Sequence, residues 1–264
     1  MARIVYISPL KVDQPRNPEA MASALRPENS LERISFTRGP RHLEYHYYET
    51  LVLPDLLHSL VEAERQGFDA AVIGCFYDLG LEEGRELTTR LVITAPCEAS
   101  IHLAATLGHR FSIIVGRRKW VPQMHDNVLR YGLESRLASF RTIDLWVPQY
   151  HEDEAETARR FHEAGRRAVE EDGAEVIVLG CTASAGFYRQ LQDALGVPVI
   201  DSALAALTYA EHLVNLRDRF GWSHSKRGGY ESPPASELET WGLRQQYEPA
   251  DIQDVWVDLK GVRT

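Results

Sequence analysis

The chain has 264 residues, 44% of them hydrophobic and 25% charged, with a formal charge of −9 at pH 7. That length suits one large domain or two compact α/β halves, either able to bury a proper core. The acidic balance argues against nucleic-acid and acidic-membrane partners, which need a basic face, and no apolar run approaches the roughly 20 residues of a membrane span.

The N-terminus runs straight into a strand at 4–7 with no signal-peptide pattern. Further strands are predicted at 31–36, 70–73, 91–94, 111–115, 137–147, 176–179 and 197–200. Helical patterns fall between them at 47–66, 82–89, 98–107, 122–131, 154–171, 185–195 and 203–217. Continuous apolar strands alternating with helices predict an α/β fold with a parallel sheet covered on both faces. Ligands collect at the carboxyl edge of such sheets. From Arg217 onward the composition changes: Trp222, Trp241 and Trp256 stand among Gly, Pro and charged residues. That extension, 221–264, is too aromatic for a plain disordered tail and is expected to pack on the body or on a neighbouring subunit, with little regular structure. Burial of its tryptophans suggests a homo-oligomer.

One internal similarity organises the chain. Gly67-Phe68-Asp69-Ala70-Ala71-Val72-Ile73-Gly74-Cys75 is echoed by Gly173-Ala174-Glu175-Val176-Ile177-Val178-Leu179-Gly180-Cys181. The copies lie about 100 residues apart, the size of a small α/β domain. The predicted division is therefore 1–97 plus about 204–220 for the first half and 98–203 for the second. A Gly-Cys at the end of a buried parallel strand puts the thiol at the start of a turn. The N–H groups there stabilise a thiolate, a carboxylate or an enolate oxygen. If the halves face each other, Cys75 and Cys181 flank one cleft, an arrangement suited to removing a proton from one face of a planar intermediate and returning it to the other. Cys97 has no such counterpart and reads as a packing residue. Three cysteines without a C-x-x-C pair argue against a disulfide framework and for a reducing cytoplasm. The histidines form no metal-binding pattern and no phosphate loop or G-x-S-x-G elbow occurs, so no metal or cofactor is expected.

Several segments carry a resemblance. Gly39-Pro40-Arg41-His42-Leu43-Glu44, continuing to Glu49, is similar to the Gly-Pro-x-x-Ile-Glu-x-x-x-x-Glu stretch of hydantoin racemases. Gly74-Cys75-Phe76-Tyr77-Asp78-Leu79-Gly80-Leu81 resembles their Cys-Phe-x-Asp-Pro-Gly-Leu. Leu179-Gly180-Cys181-Thr182 and Leu195-Gly196-Val197-Pro198-Val199-Ile200-Asp201 also match. Over roughly residues 1 to 215 the chain resembles the aspartate/glutamate/hydantoin racemase superfamily. The resemblance implies two pseudo-symmetric parallel-sheet α/β domains with the active site in the cleft between them. It also implies a cofactor-independent isomerase in which Cys75 and Cys181 are the two catalytic acid–base groups. Ser8, Glu44, Phe76, Gly116, Arg117 and Thr182 are the expected substrate-binding residues. The substrate is expected to be a small molecule, a hydantoin or an amino-acid derivative racemised or epimerised next to a carbonyl.

Three departures bear on the substrate. Where the family's first strand ends in Asn-Pro-Asn-Thr, this chain has Ser8-Pro9-Leu10-Lys11. Small hydroxyl residues after the strand at 111–115 are replaced by Gly116-Arg117-Arg118-Lys119-Trp120. The second cysteine precedes Thr182-Ala183-Ser184. Two alternatives therefore stand beside the racemase: a decarboxylase or cis–trans isomerase of the same superfamily, and a non-catalytic small-molecule-binding protein.

Overall fold

A computed structural model describes residues 1–12, 18–249 and 251–259. It forms an α/β structure with two sheets. In chain order the first part comprises β1 (Arg3–Ser8), α1 (Pro18–Ser23), β2 (Ser30–Phe36), α2 (His46–Arg65), β3 (Ala70–Ile73), α3 (Leu81–Leu87) and β4 (Val92–Thr94). There follow α4 (Pro96–Leu107), β5 (Phe111–Val115), α5 (Val121–Arg130), β6 (Leu137–Thr142), α6 (Glu154–Glu170), β7 (Val176–Leu179), α7 (Tyr188–Leu195) and β8 (Val199–Asp201). The chain ends with α8 (Ser202–Phe220), α9 (Ala235–Thr240), α10 (Leu243–Tyr247) and β9 (Trp256–Asp258).

The first sheet has the order β4-β3-β1-β2-β9 and the second β6-β5-β7-β8, with every pairing parallel except β2 with β9. The central strands are buried along their whole length because helices cover both faces, hence their unbroken apolar runs. Alternation sorts the side chains of the first sheet. Val5, Ile7, Ala71 and Ile73 face Val52, Leu56 and Leu60 of α2, whereas Ile4, Tyr6, Ala70 and Val72 face Ala206, Leu207, Ala210 and Val214 of α8. The chain thus reaches the second sheet through α4 and returns through α8. Asp201, at the end of β8, caps α8 by accepting from the N–H groups of Ala203 and Leu204 at 3.0 and 3.3 Å.

The internal similarity has a structural counterpart, with the bonds offset by one residue in places. Gly67 and Gly173 end α2 and α6 in the left-handed region, at φ 76° and 69°. Phe68 N–H then donates to Ala63 O, and Ala174 N–H to Ala168 O, both at 3.0 Å. The acidic residue that follows grips the start of the neighbouring strand. Arg3 N–H donates to the Asp69 carboxylate at 2.9 Å, and His109 N–H to Glu175 at 2.6 Å. At the far end Gly74 N–H donates to Ile7 O and Gly180 N–H to Ile114 O, both at 2.8 Å. Cys75 and Cys181 therefore leave their sheets at equivalent points.

Three element readings differ from expectation. The strand predicted at 137–147 stops at Thr142, because Asp144 takes a positive φ of 53° and Val147–His151 turns into a short 3₁₀ helix. The helix predicted from 185 starts at Tyr188, since a 3₁₀ turn, Thr182–Ser184, follows Cys181. The tail has more regular structure than its composition suggested: two short helices and β9, which pairs Trp256 with Phe36 at the sheet edge. Trp256 is buried, whereas Trp222 and Trp241 are exposed. The tail also clasps α3. Lys226 Nζ donates to the carbonyl of Arg85, Ser232 Oγ to Glu86 O at 2.6 Å, and His224 Nε2 accepts from Ile93 N–H at 3.1 Å. Burial and the nearby Arg85 and Lys226 cations push the His224 pKa down to about 4, which keeps the ring a neutral acceptor. Of the predicted extension, residues 250 and 260–264 lie outside the described residues.

Candidate active site

The two Gly-Cys turns line one cavity of about 350 Å³, together with Ser8 at the end of β1, Glu44, Phe76 and Thr182. A direct bond joins the turns: Thr182 Oγ1 donates to Gly74 O at 3.2 Å. The Tyr6 hydroxyl lies within hydrogen-bond reach of the Thr182 side chain, and burial holds that phenol in its protonated form. The β1 strand is thus tied to both cysteine loops. The N–H groups of Phe76 and Thr182, each next to one of the two cysteines, have no acceptor among the described residues.

Gly74 is set by steric approach. A Cβ there would lie 2.6 Å from Cε1 of Tyr6 and 2.8 Å from the carbonyl oxygen of Ile7. The oxygen belongs to the sheet ladder and cannot yield. Gly74→Ala is expected to cost about 1–3 kcal/mol of stability, seen as a lower denaturant midpoint. It should also move the Cys75 turn. A midpoint unchanged within about 0.5 kcal/mol would contradict this packing account.

Cys75 meets the cavity yet is surrounded by protein, and burial pushes its thiol well above the ordinary range. Tyr77 N–H donates to its sulfur and opposes that shift, while Glu49, Cys181 and Asp78 add negative potential to it. A raised pKa leaves the neutral thiol as the resting form at pH 7. Iodoacetamide labelling of Cys75, followed by peptide mass spectrometry, is expected to rise with pH along a curve whose midpoint lies above the ~8.5 of free cysteine. A midpoint at or below that value would contradict this environment.

Asp78 closes the turn after Cys75 with a positive φ of 54°. Its carboxylate accepts from Cys97 N–H at 2.9 Å, from Glu98 N–H at 2.8 Å and from the Tyr131 hydroxyl at 2.8 Å. Burial pushes this carboxyl up to about 7, against the stabilising effect of those donors. The Cys75 turn is thereby fastened to the N-terminus of α4. Cys97 itself is fully buried among apolar side chains.

Glu44, only 2% exposed, does not cap α2. One carboxylate oxygen accepts from Val147 N–H at 3.0 Å and the other from the Arg117 guanidinium at 3.0 Å. Arg117 also lies over the Trp146 ring, 3.9 Å from its centroid. Glu44 therefore links the segment before α2 to the loops that follow β5 and β6. Nearby, Gln123 Nε2 of α5 donates to Glu49 of α2 at 2.6 Å. Among the described residues no group of three His, Cys, Asp or Glu side chains could hold a metal ion, and no helix is long and apolar enough to cross a membrane.

The family model described as Asp/Glu/Hydantoin racemase matches residues 16–210. The chain belongs to this racemase family. It is 35% identical over 230 residues to a hydantoin racemase of Pseudomonas sp. (strain NS671), covering 86% of this chain and 90% of that protein. Identity to a hydantoin racemase of Paenarthrobacter aurescens is 41% over 204 residues, 77% of this chain and 84% of the relative. Among solved structures, allantoin racemase from Klebsiella pneumoniae superposes with a TM-score of 0.80 at 30% identity, covering 89% of this chain and 94% of the other. This racemase is accordingly an isomerase of α/β fold with parallel sheets.

Among the residues singled out from the sequence, Cys75, Cys181, Ser8, Glu44, Phe76 and Thr182 come together in the cavity of this racemase. Gly116 and Arg117 do not line it. A Cβ on Gly116 would lie 2.4 Å from the Trp120 ring and 2.6 Å from the Tyr150 hydroxyl, and the Arg117 side chain is held by Glu44 and Trp146. The wall also includes Tyr6, Lys11, Arg33, Arg41, Trp120 and Val147, which sequence reasoning did not select. Lys11 and Trp120 sat in the two segments that depart from the family pattern, and that departure was the available signal. Val147 carried none, because it lay inside a segment read as strand.

Proposed function

We propose that this protein is a cofactor-independent racemase of hydantoin-type rings in which Cys75 and Cys181 exchange acid and base roles. The observation that carries the reading is the equivalence of the two Gly-Cys turns, each leaving its sheet after the same ladder bond and each lining one cavity. In one direction the thiolate of one cysteine takes the hydrogen from the α-carbon, and the electron pair of that C–H bond moves into the carbonyl to give an enolate. The thiol of the other cysteine then protonates the opposite face and becomes the thiolate. The reverse direction exchanges the two roles. N–H groups of Phe76 and Thr182 hold the developing oxygen charge, and an oxyanion donor of this kind is worth roughly 10²–10³ in rate.

The ring assignment rests on the hydantoin and allantoin racemases to which the chain is similar. A cavity of about 350 Å³ accommodates a five-membered ring with a modest substituent. Thiol chemistry requires reduced cysteines, and none of the three is joined in a disulfide, which fits a reducing cytoplasm. The test is polarimetry of enantiopure 5-substituted hydantoins and allantoin with purified protein, beside substituted malonates. Decay of rotation with the compound otherwise unchanged is the expected result. Loss of carbon dioxide from a malonate, with no racemisation of any ring, would replace this reading with the decarboxylase.

A further inference from the structure

Among the described residues, Lys11 lines the cavity together with Arg33, Arg41 and the carboxylate of Glu44. That carboxylate is already engaged by Arg117 and the Val147 N–H. Arg33 stands beside the Tyr6 ring, 5.9 Å from its centroid.

Lys11 is placed by backbone bonds on either side. Leu10 N–H donates to Ser8 O at 2.8 Å, Phe36 N–H to Leu10 O at 3.0 Å, and Lys11 N–H itself to Pro40 O at 3.0 Å. The turn after β1 is thereby pinned to β2 and to the segment leading into Glu44. A lysine thus stands at the cavity wall where the family pattern has a neutral threonine, one turn beyond Ser8. Lys11 is an exposed residue of that wall, and a lysine ammonium beside a partly enclosed cavity favours an anion. It does so most where low-dielectric walls reduce screening and the bond is charge-assisted.

We propose that Lys11 makes this cavity selective for rings whose α-carbon substituent ends in a carboxylate, such as the hydantoins corresponding to acidic amino acids. The inference rests on the hydantoin reading above and deepens it. The ring occupies the space between Cys75 and Cys181, and its side-chain carboxylate reaches Lys11 on the wall that also carries Arg33 and Arg41.

The test compares two isosteric ligands, 5-carboxymethylhydantoin and its neutral carbamoylmethyl counterpart, by calorimetric titration of the full chain. Racemic ligand is used, so that turnover produces no net change and the heat reports binding alone. The wild type is expected to bind the carboxylate about tenfold or more tightly than the amide, with the preference shrinking between about 20 mM and 500 mM salt. Lys11→Met should bring the two within about threefold, and Lys11→Arg should restore the preference. Equal binding by the wild type, failure to bind the anionic ring, or a preference that survives Lys11→Met would each overturn the inference. Racemisation of the enantiopure amide is followed separately by polarimetry. Its absence beside an intact binding preference would count against the catalytic reading while leaving the role of Lys11 standing.

Discussion

Cys75→Ser and Cys181→Ser are each expected to reduce racemisation by about 10³-fold or more, because a serine hydroxyl cannot serve as the acid or base that the step needs. The two variants should fail differently. With one thiol left, the enzyme still reaches one face of the ring. Each variant should therefore retain solvent exchange of the α-hydrogen in one enantiomer, without inversion, and the two variants should retain it in opposite enantiomers. Proton NMR in D₂O on each pure enantiomer reads this directly. The double variant should show neither exchange nor inversion, and a third variant, Cys97→Ser, tests whether a core thiol matters only through packing. If either single variant kept full racemisation, the pairing of Cys75 with Cys181 would be wrong.

Glu44 carries the second large effect, on stability. Its carboxylate is buried and serves as acceptor for a guanidinium and a backbone N–H that belong to loops of the other sheet. Removing it strands both donors, so Glu44→Ala is expected to cost about 2–4 kcal/mol, somewhat below a fully buried pair because Arg117 keeps some exposure. Glu44→Gln retains an acceptor for Val147 N–H and should cost about half as much. Denaturant unfolding monitored by circular dichroism measures both. The pair should also be coupled: in the double variant Glu44→Gln/Arg117→Met, the loss should be smaller than the sum of the single losses. A loss under about 0.5 kcal/mol for Glu44→Ala would mean that this cross-sheet link is incidental.

The central strands were legible because strands buried on both faces must be apolar throughout, and Val176–Leu179 or Ala70–Ile73 can hardly be read otherwise. The repeated Gly-x-acid pattern was legible as a similarity. Its physical content, an acid gripping the neighbouring strand and a glycine N–H donating to the adjacent strand's carbonyl, needed the pairing to be known. The family was readable from the two cysteine motifs, and the family model and the curated relatives show it. What stayed hidden depends on long-range partners. Arg117 read as a cation beyond a strand end, but nothing local announced that Glu44, far away in the chain, would hold it. β9 is three residues of tail whose strand character comes from the exposed edge of β2 rather than from its own pattern. Asp144 and the 3₁₀ turn after Cys181 ended or delayed elements through single backbone conformations that composition does not report.

The most direct test of two-thiol racemisation follows a single enantiomer of a 5-substituted hydantoin in D₂O during the first few per cent of turnover, with mass and chirality read together. Two opposed thiols predict that the newly formed antipode carries deuterium from solvent while the unreacted enantiomer remains largely protiated. Deuterium appearing equally in both enantiomers from the start would point to one base serving both faces, and would contradict the account.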